Sequence, residues 1–185
     1  MHYSSKSPAI KTTLVNLLIL ATFTSLAMTG CNKPQDAQTL LADARNYQQK
    51  GDNKAAIIQL KNSLQQNPDD PEARYLLGTI YNKTGDLQSA EKELRKALSL
   101  GMSPVKVWLD LGQVMLGLGQ FQQLLDDTQK LSGNDASAEI STLRGNALLS
   151  LNKADDAKKL FEQALEKKPH FPDAMVGMAK YSLMQ

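Results

Sequence analysis

The side chains that could perform chemistry are few, and their surroundings in the sequence do not favour it. His170 lies in a short loop-like stretch between Pro169 and Pro172, and a catalytic or metal-binding imidazole would need partner groups that the sequence does not supply nearby. The acidic pairs Asp126-Asp127 and Asp155-Asp156 are adjacent, and neighbouring helix residues point in different directions. We therefore expect no catalytic residue, metal, cofactor or small-molecule substrate, and we interpret His170 as a solvated loop residue.

Cys31 is the one side chain whose position predicts a covalent reaction. It is the only cysteine, so an internal disulfide is excluded. Lysines at 6 and 11 and an apolar run over 14–28 precede it, the pattern of a secretory signal peptide rather than a membrane span. The run ends in Met28-Thr29-Gly30-Cys31, which resembles the bacterial lipobox. That resemblance implies cleavage before Cys31 and lipidation of its thiol; the alternative is a free or intermolecularly bonded thiol.

A lipid on Cys31 would determine where the protein resides. A single acyl chain anchors only reversibly, at about 0.8 kcal/mol per buried methylene, whereas bacterial lipoproteins typically carry three chains. Asn32 resembles the residue found after the lipidated cysteine in outer-membrane lipoproteins of proteobacteria. We expect a signal peptide over 1–30, a lipidated tether over 31–36, and attachment to the periplasmic face of the outer membrane in a Gram-negative bacterium.

The charge distribution argues against nucleic acid as a partner. The two lysines before Cys31 account for the whole formal net charge of +2, and the rest of the chain is balanced. Nucleic-acid binding would need a clustered basic face. Glu91 with Arg95, and Glu93 with Lys96, have helical spacing and are expected to form solvated ion pairs.

The sequence from Tyr47 to Ala97 repeats itself. Gly51-Asp52 and Gly85-Asp86 are 34 residues apart, and other pairs keep the same spacing: Tyr47 and Tyr81, Ala56 and Ala90, Leu60 and Leu94. A period of about 34 residues is the mark of tetratricopeptide (TPR) helix hairpins. The predicted fold is therefore all-α, a right-handed superhelical solenoid of helix hairpins.

Turn and cap residues divide the array. Gly51 and Gly85 suit helix ends, and the aspartates after them suit helix starts. Asp70-Pro71 and Ser103-Pro104 each read as a cap followed by proline in the first turn, and Asn152 replaces glycine in the last turn. The predicted repeats are TPR 1 at 37–70, TPR 2 at 71–104, TPR 3 at 105–137, TPR 4 at 138–171, and the first helix of an incomplete fifth at 172–185.

The third repeat is expected to be divergent. Leu124 stands where a small residue is usual, and Thr128 where an aromatic residue or leucine is usual, so we expect a second helix that forms but packs loosely or in a shifted position. Trp108, Tyr47 and Tyr81 match core positions of the pattern and are predicted to pack inside rather than to bind a ligand.

The first helix of each TPR hairpin lines the inner surface of the array, which predicts a groove for a protein or peptide. The predicted groove is polar and amide-rich, with a few apolar anchors, and lacks a dense cluster of lysine and arginine. Its principal residues are Leu41, Arg45, Gln48, Gln49, Tyr75, Thr79, Asn82, Lys83, Lys106, Leu109, Gln113 and Asn146, joined by Gln38, Glu72, Glu139 and Thr142.

The end of the sequence is unusually apolar for the edge of a repeat array. Terminal repeats normally present a polar outer face, and residues 174–184 do not. We interpret the sequence as the front part of a longer array. The alternative is that these residues cover the last hairpin and leave some apolar surface exposed.

Three segments resemble a narrower family. Residues 54–64, 72–78 and 89–98, together with the lipobox, are similar to the TPR-repeat lipoproteins of PEP-CTERM systems, which accompany an exosortase and exopolysaccharide genes. The resemblance covers about 43–125 and is fainter beyond. It implies an outer-membrane lipoprotein that serves protein sorting and exopolysaccharide export, with no catalytic activity.

The sequence is therefore consistent with three candidate functions. The leading one is a protein-binding scaffold in exopolysaccharide and PEP-CTERM export. The second is a lipoprotein that assists the assembly of pili or outer-membrane complexes. The third is a docking domain whose catalytic module lies beyond Gln185, which further repeats in that region would argue against.

Overall fold

The computed structural model describes residues 35–129, 131 and 137–184, so the predicted signal peptide and Cys31 lie outside the described residues. Within the described part the chain folds into nine α-helices without a strand. They are α1 (Ala37–Gln49), α2 (Asn53–Gln66), α3 (Pro71–Thr84), α4 (Leu87–Ser99), α5 (Pro104–Gly117), α6 (Phe121–Thr128), α7 (Ala138–Ser150), α8 (Ala154–Lys167) and α9 (Pro172–Leu183).

Aspartate side chains begin most of the early helices, as their positions in the sequence predict. Asp52 accepts a hydrogen bond from the backbone N–H of Ala55 at 3.0 Å, and Asp70 accepts from Glu72 and Ala73 at 2.9 and 3.0 Å. Ser103 is an exception, because its hydroxyl makes no capping hydrogen bond at the start of α5. The proline at the first position of α5 still favours a helix start there, since its φ is preset and it has no N–H that needs a partner.

Left-handed backbone closes the turn inside each of the four described hairpins, and the second and fourth show the two residue types that adopt it. Gly85 has φ 86° after α3, and Asn152 has φ 58° after α7. Asparagine tolerates this conformation better than other residues with a side chain, which explains why it can replace glycine in the fourth repeat. The turn chemistry of the repeats is thus preserved through two different residue types.

The core runs along the array as a series of apolar clusters. One cluster joins α1, α2 and α3 around Leu60 and Ile80, both 0% exposed. The next joins α4 to α7 and contains Trp108, which is 7% exposed, so the prediction that this residue packs inside is confirmed. Tyr47 and Tyr81 pack against these clusters from half-buried positions. Each hairpin therefore depends on its neighbour for burial, as expected of a repeat array.

Phe161 fills the space between α7, α8 and α9. Its side chain is 0% exposed, and two glycines face the ring. A Cβ added at Gly145 would lie 2.5 Å from its Cε1, and one added at Gly177 would lie 2.4 Å from the same atom. These glycines are needed because the helices approach the ring too closely for any side chain.

Substituting Gly145→Ala should lower the free energy of unfolding by about 1–2 kcal/mol. The added methyl group overpacks a site with a rigid buried ring, which costs about 1–3 kcal/mol, and better helix propensity offsets up to about 1 kcal/mol. Gly117→Ala is the matched control, because its new Cβ would meet only the terminal Cδ1 of Leu87, a partly buried and flexible side chain. Urea denaturation followed by circular dichroism measures both, and equal losses would contradict the role given to Phe161.

The third hairpin departs from the others in the way expected for its second helix, but not through loose packing. Helix α6 is only 8 residues long, and it packs more extensively on α7 than on α5. Leu124 and Thr128 are 0% and 1% exposed, and the Thr128 hydroxyl donates to the Leu124 carbonyl at 2.6 Å. The packing is therefore shifted, as predicted, whereas the expectation of looseness at these two residues was wrong. The larger side chain at 124 is buried in the core cluster that α6 shares with α4, α5 and α7.

One predicted ion pair is wrong. Glu93 is buried, at 7% exposure, and pairs with Arg74 at 2.6 Å; Lys96 pairs instead with Asp69 at 3.1 Å. Spacing along one helix could not reveal this, because Glu93 faces the adjoining helix α3 rather than solvent.

The other predicted pair is present and is part of a wider network. Arg95 binds Glu91 at 2.8 Å and also Asp127 of α6 at 3.0 Å, while Gln120 donates to Glu91 at 2.9 Å. The network links α4 to the short helix α6 and its start.

Helix α9 leaves apolar side chains in solvent. Met175, Val176, Leu183 and Met184 are between 48% and 88% exposed, whereas Ala174 and Gly177 are buried against the preceding hairpin. Both interpretations of these residues expect such exposed apolar surface, so whether the array is part of a longer one stays a prediction.

Candidate functional site

Two adjoining cavities lie on the first helices of the hairpins. The first has a volume of about 460 Å³ and is formed by α1, α3 and the start of α5; its lining residues are Arg45, Gln48, Gln49, Glu72, Tyr75, Leu76, Thr79 and Lys106. Six of these are principal residues of the groove predicted from the sequence. They were selected by the rule that the first helix of each TPR hairpin lines the inner surface, and those on one helix share a face because they are three or four residues apart.

Charged groups in the first cavity are mutually satisfied but accessible. Arg45 binds Glu72 at 2.6 Å, and both side chains are about half exposed, at 45% and 50%. The Lys106 Nζ lies 4.4 Å from the centre of the Tyr75 ring, within cation–π range. The Tyr75 hydroxyl donates to the Asp110 carboxylate at 2.6 Å. The cavity lining therefore presents two cations, one carboxylate and an aromatic face in fixed orientations.

The pKa of Tyr75 is raised from its ordinary value, first by burial and then by the hydrogen bond and negative charge of Asp110. Since the raised pKa favours the neutral phenol, Tyr75 should stay protonated at a pH where an exposed tyrosine has ionised. The stability that this phenol contributes is complete below the ordinary tyrosine pKa of about 10 and is lost as the pH rises through the folded-state pKa.

A spectrophotometric titration of the tyrosines tests this. The late-ionising component should disappear in Tyr75→Phe and move to lower pH in Asp110→Asn. If Tyr75→Phe retains the late component, the assignment to Tyr75 is wrong.

The second cavity lies beside the next turn of α5 and has a volume of about 320 Å³. It is formed by α5, α7 and α9; its lining residues are Leu109, Gln113, Leu116, Glu139, Thr142, Leu143, Asn146, Phe171, Asp173, Val176 and Lys180. Lys106 and Leu109 are one turn apart on α5, so the two cavities adjoin. We call their combined lining the first-helix groove.

Some predicted residues do not line this groove. Leu41 is 2% exposed and belongs to the core of the first hairpins, so it cannot be the apolar anchor that the sequence predicted. Lys83 is exposed in the last turn of α3, and neither it nor Asn82 nor Gln38 contributes to the two cavities. A position rule along the repeat therefore overestimates the groove at the start of α1 and the end of α3.

Sequence reasoning missed other residues of the site. Asp110 lines neither cavity but accepts the hydrogen bond from Tyr75, and its spacing of four residues from Lys106 could have placed it beside that ring. Val176 and Lys180 come from α9, which we had predicted only as the end of the array and not as part of the groove. Thr142 lines the cavity, but it is only 3% exposed and its hydroxyl donates to the Ala138 carbonyl at 2.8 Å.

The residues considered for chemistry remain apart. His170 is exposed, in left-handed backbone with φ 65°. The neighbouring acids have separate partners: Asp126 accepts from Gln122, Asp127 from Arg95, Asp155 from Tyr181 and Asp156 from Lys159. Over 35–129 and 137–184, histidine, cysteine, aspartate and glutamate do not gather in any group of three suited to a metal. Across the same described stretches, each helix is too short or too polar to cross a bilayer.

A row of helix hairpins with a groove along the first helices defines a class of repeat scaffold. Residues 47–103 and 142–185 each match a tetratricopeptide repeat family model. The chain therefore belongs to the tetratricopeptide repeat family, whose arrays are scaffolds that hold protein or peptide partners and are generally not enzymes.

Known proteins agree with this assignment. The type IV pilus assembly protein PilF of Pseudomonas aeruginosa is 25% identical over 172 residues, covering 84% of this chain and 68% of PilF. The TPR repeat-containing protein MJ0798 of Methanocaldococcus jannaschii is 30% identical over 135 residues, covering 68% of this chain and 40% of that protein. Among solved structures, MamA superposes with a TM-score of 0.71 at 23% identity, over 78% of this chain and 80% of MamA, which establishes the TPR solenoid fold.

Proposed function

We propose that the first-helix groove binds a segment of a partner protein and that the chain holds this partner in the periplasm. The observation that carries the proposal is that two neighbouring cavities, lined from successive turns of α5, together take their lining from α1, α3, α5, α7 and α9. A bound segment can contact consecutive hairpins in register, which suits an extended or helical peptide better than a compact small molecule.

The side chains of the groove suit a peptide backbone. Gln48, Gln49, Gln113 and Asn146 each carry both donors and acceptors, so they can pair with backbone N–H and C=O groups of a ligand. Apolar contacts are available from Val176, which is 53% exposed, and from partly buried Leu109. The groove therefore favours a segment with polar backbone contacts and one or two apolar anchors.

The cellular setting of the proposal rests on the sequence before the described residues. A signal peptide ending at Gly30, lipidation of Cys31 and Asn32 after it support a lipoprotein on the periplasmic face of the outer membrane. The similarity to PEP-CTERM lipoproteins supports a role in exopolysaccharide and exosortase-linked export. Together these make the groove a membrane-tethered holding site.

A second candidate function is the assembly of pili or related envelope complexes. The similarity to PilF, named for type IV pilus assembly, extends over 84% of this chain and supports it. Both candidates use the same groove and anchor, and they differ in the identity of the partner.

Photo-crosslinking in the native host tests the groove. A crosslinker in place of Gln113 should capture a defined partner, and one in place of Ile58, which is 58% exposed on α2, should not. Arg45→Ala with Tyr75→Ala should reduce capture about tenfold or more, because both side chains face the ligand. The matched control is Lys54→Ala with Ile58→Ala, which removes one cation and one large side chain from the outer face. Equal losses in the two variants would rule out the groove.

The identity of the partner and the lipid anchor on Cys31 are determined by separate measurements. A pilus component among the captured proteins would favour assembly, and a PEP-CTERM or exopolysaccharide component would favour export. The intact mass of the membrane-extracted protein tests Cys31: a mass that starts at Cys31 and includes lipid supports the anchor, and one that retains Met1 contradicts it.

A further inference from the structure

Arg144 occupies a position that the second and third repeats fill with leucine and the first repeat with Asp43. Leu77 and Leu111 directly precede Gly78 and Gly112, and they are 3% and 0% exposed in the core. Arg144 directly precedes Gly145 in the same place of α7. A guanidinium therefore stands at a core position of the repeat.

The Arg144 side chain lacks the hydrogen-bond partners that Arg74 and Arg95 have. Its Nε is buried and has no hydrogen-bond partner within the described part of the chain. By contrast, Arg74 is bound by Glu93 and the Pro68 carbonyl, and Arg95 by Glu91 and Asp127. An unsatisfied buried donor is unfavourable and points to an acceptor supplied from outside.

A cavity of about 380 Å³ surrounds Arg144 between α6, α7 and α8. Its apolar wall is formed by Leu125 of α6, Leu148 of α7 and Leu160 of α8. The volume is sufficient for a small group of several heavy atoms, and the wall would cover an apolar part of it.

This cavity opens away from the first-helix groove. Successive helix residues are about 100° apart, so Arg144 lies about 200° around α7 from both Thr142 and Asn146, which line the groove. A ligand at Arg144 would therefore leave the groove free.

The carboxylates at the edge of the cavity do not accept a hydrogen bond from the Arg144 Nε–H. Asp156 is paired with Lys159 at 2.9 Å, and Asp126 accepts from Gln122 at 2.9 Å. Both carboxylates belong to exposed residues, whereas the Arg144 Nε lies inside.

We propose that this cavity is a second ligand site, which binds a carboxylate attached to a short apolar group. A guanidinium presents parallel N–H donors that match the two oxygens of a carboxylate, and the three leucines accept the adjoining hydrocarbon. The same chemistry occurs in the C-terminal leucine of a protein and in a free aliphatic acid. The site goes beyond the proposed function, since it uses none of the groove residues.

The Nε–H resonance of Arg144 in the full-length chain gives a direct test. The probes are N-acetyl-Ala-Ala-Leu with a free C-terminus and hexanoate, each compared with its amide. Both acids should shift this resonance at millimolar concentration, and the amides should shift it at least tenfold more weakly. Arg144→Gln identifies the resonance by its loss, and thermal denaturation should then show no stabilisation by either acid. Arg45→Gln, on the groove side, should leave the response intact.

The outcomes separate the sources and can overturn the site. Tighter binding of the peptide acid would identify a protein C-terminus as the ligand, and tighter binding of hexanoate would identify a free acid. No shift with either acid, equal shifts with the amides, or stabilisation that persists in Arg144→Gln would each refute the proposal. If the Arg144→Gln variant fails to fold, through-bond assignment of the Arg144 Nε–H in the wild-type chain identifies the resonance, and its response to the acids decides the matter.

Discussion

Truncation of Phe161 to alanine should lower the free energy of unfolding by about 4 kcal/mol. Burial of a phenylalanine ring contributes its transfer free energy, and its removal leaves a cavity, so such substitutions cost about 3–5 kcal/mol. The upper part of the range is expected because the ring is 0% exposed and the glycines around it have no side chain that could fill the space.

The loss should be local to the C-terminal hairpins. Stability in a repeat array is approximately a sum over repeats and their interfaces, so hydrogen exchange should increase most in α7, α8 and α9 and least in α1 and α2. Leu183→Ala is the control: its side chain is 88% exposed, and the expected change is within about 0.5 kcal/mol. A loss below about 1 kcal/mol in Phe161→Ala would mean that the ring does not hold these helices together.

Replacing Arg74 with methionine should destabilise the protein by about 3 kcal/mol. The substitution leaves the Glu93 carboxylate, whose side chain is 9% exposed, without its partner at 2.6 Å. Breaking a buried ion pair from one side costs about 3–5 kcal/mol, and the lower end applies because the Arg74 side chain retains 20% exposure. Arg74 also donates to the Pro68 carbonyl through Nε and Nη2, and these hydrogen bonds would be lost as well.

A double variant distinguishes the unpaired charge from lost packing. Arg74→Met with Glu93→Leu should recover most of the stability, because no buried charge remains. Lys96→Met breaks the exposed pair with Asp69 and should cost less than about 1 kcal/mol. Denaturant unfolding measures all three variants. If the double variant is less stable than Arg74→Met, packing rather than charge explains the effect.

The groove and the Arg144 cavity lie on different sides of α7, which has a consequence for assembly. A scaffold with both sites occupied could hold a segment of one protein along the first helices and a separate carboxylate on the opposite side. The two proposals fail independently, because the crosslinking experiment addresses Gln113 and Tyr75 and the resonance experiment addresses Arg144.

Local signals in the sequence were sufficient for the helices and their order. Three kinds of signal act over only a few residues: glycine at the turns, aspartate at the helix starts, and proline in the first turn at 71, 104 and 172. Their effects can therefore be predicted without knowledge of the fold. The same is true of Trp108, because a repeated pattern assigns each position a known side of its helix.

Relations between helices depended on the tertiary structure. Leu41 and Tyr75 both lie on first helices, yet one is in the core and the other at the groove, since burial depends on how near the next hairpin lies. Glu93 has Lys96 at ideal spacing on its own helix, but it pairs with Arg74 because the buried side of α4 faces α3.

The periodic pattern of this chain thus specifies the hairpins and the side of each helix, because helix propensity, capping and turn geometry are local. Which side chains meet across hairpins depended on the tertiary structure. Examples are the packing of the short helix α6 on α7 and the close approach of α9 to Phe161. Contacts between segments far apart in sequence depend on helix lengths and crossing distances, and a repeat period does not contain that information.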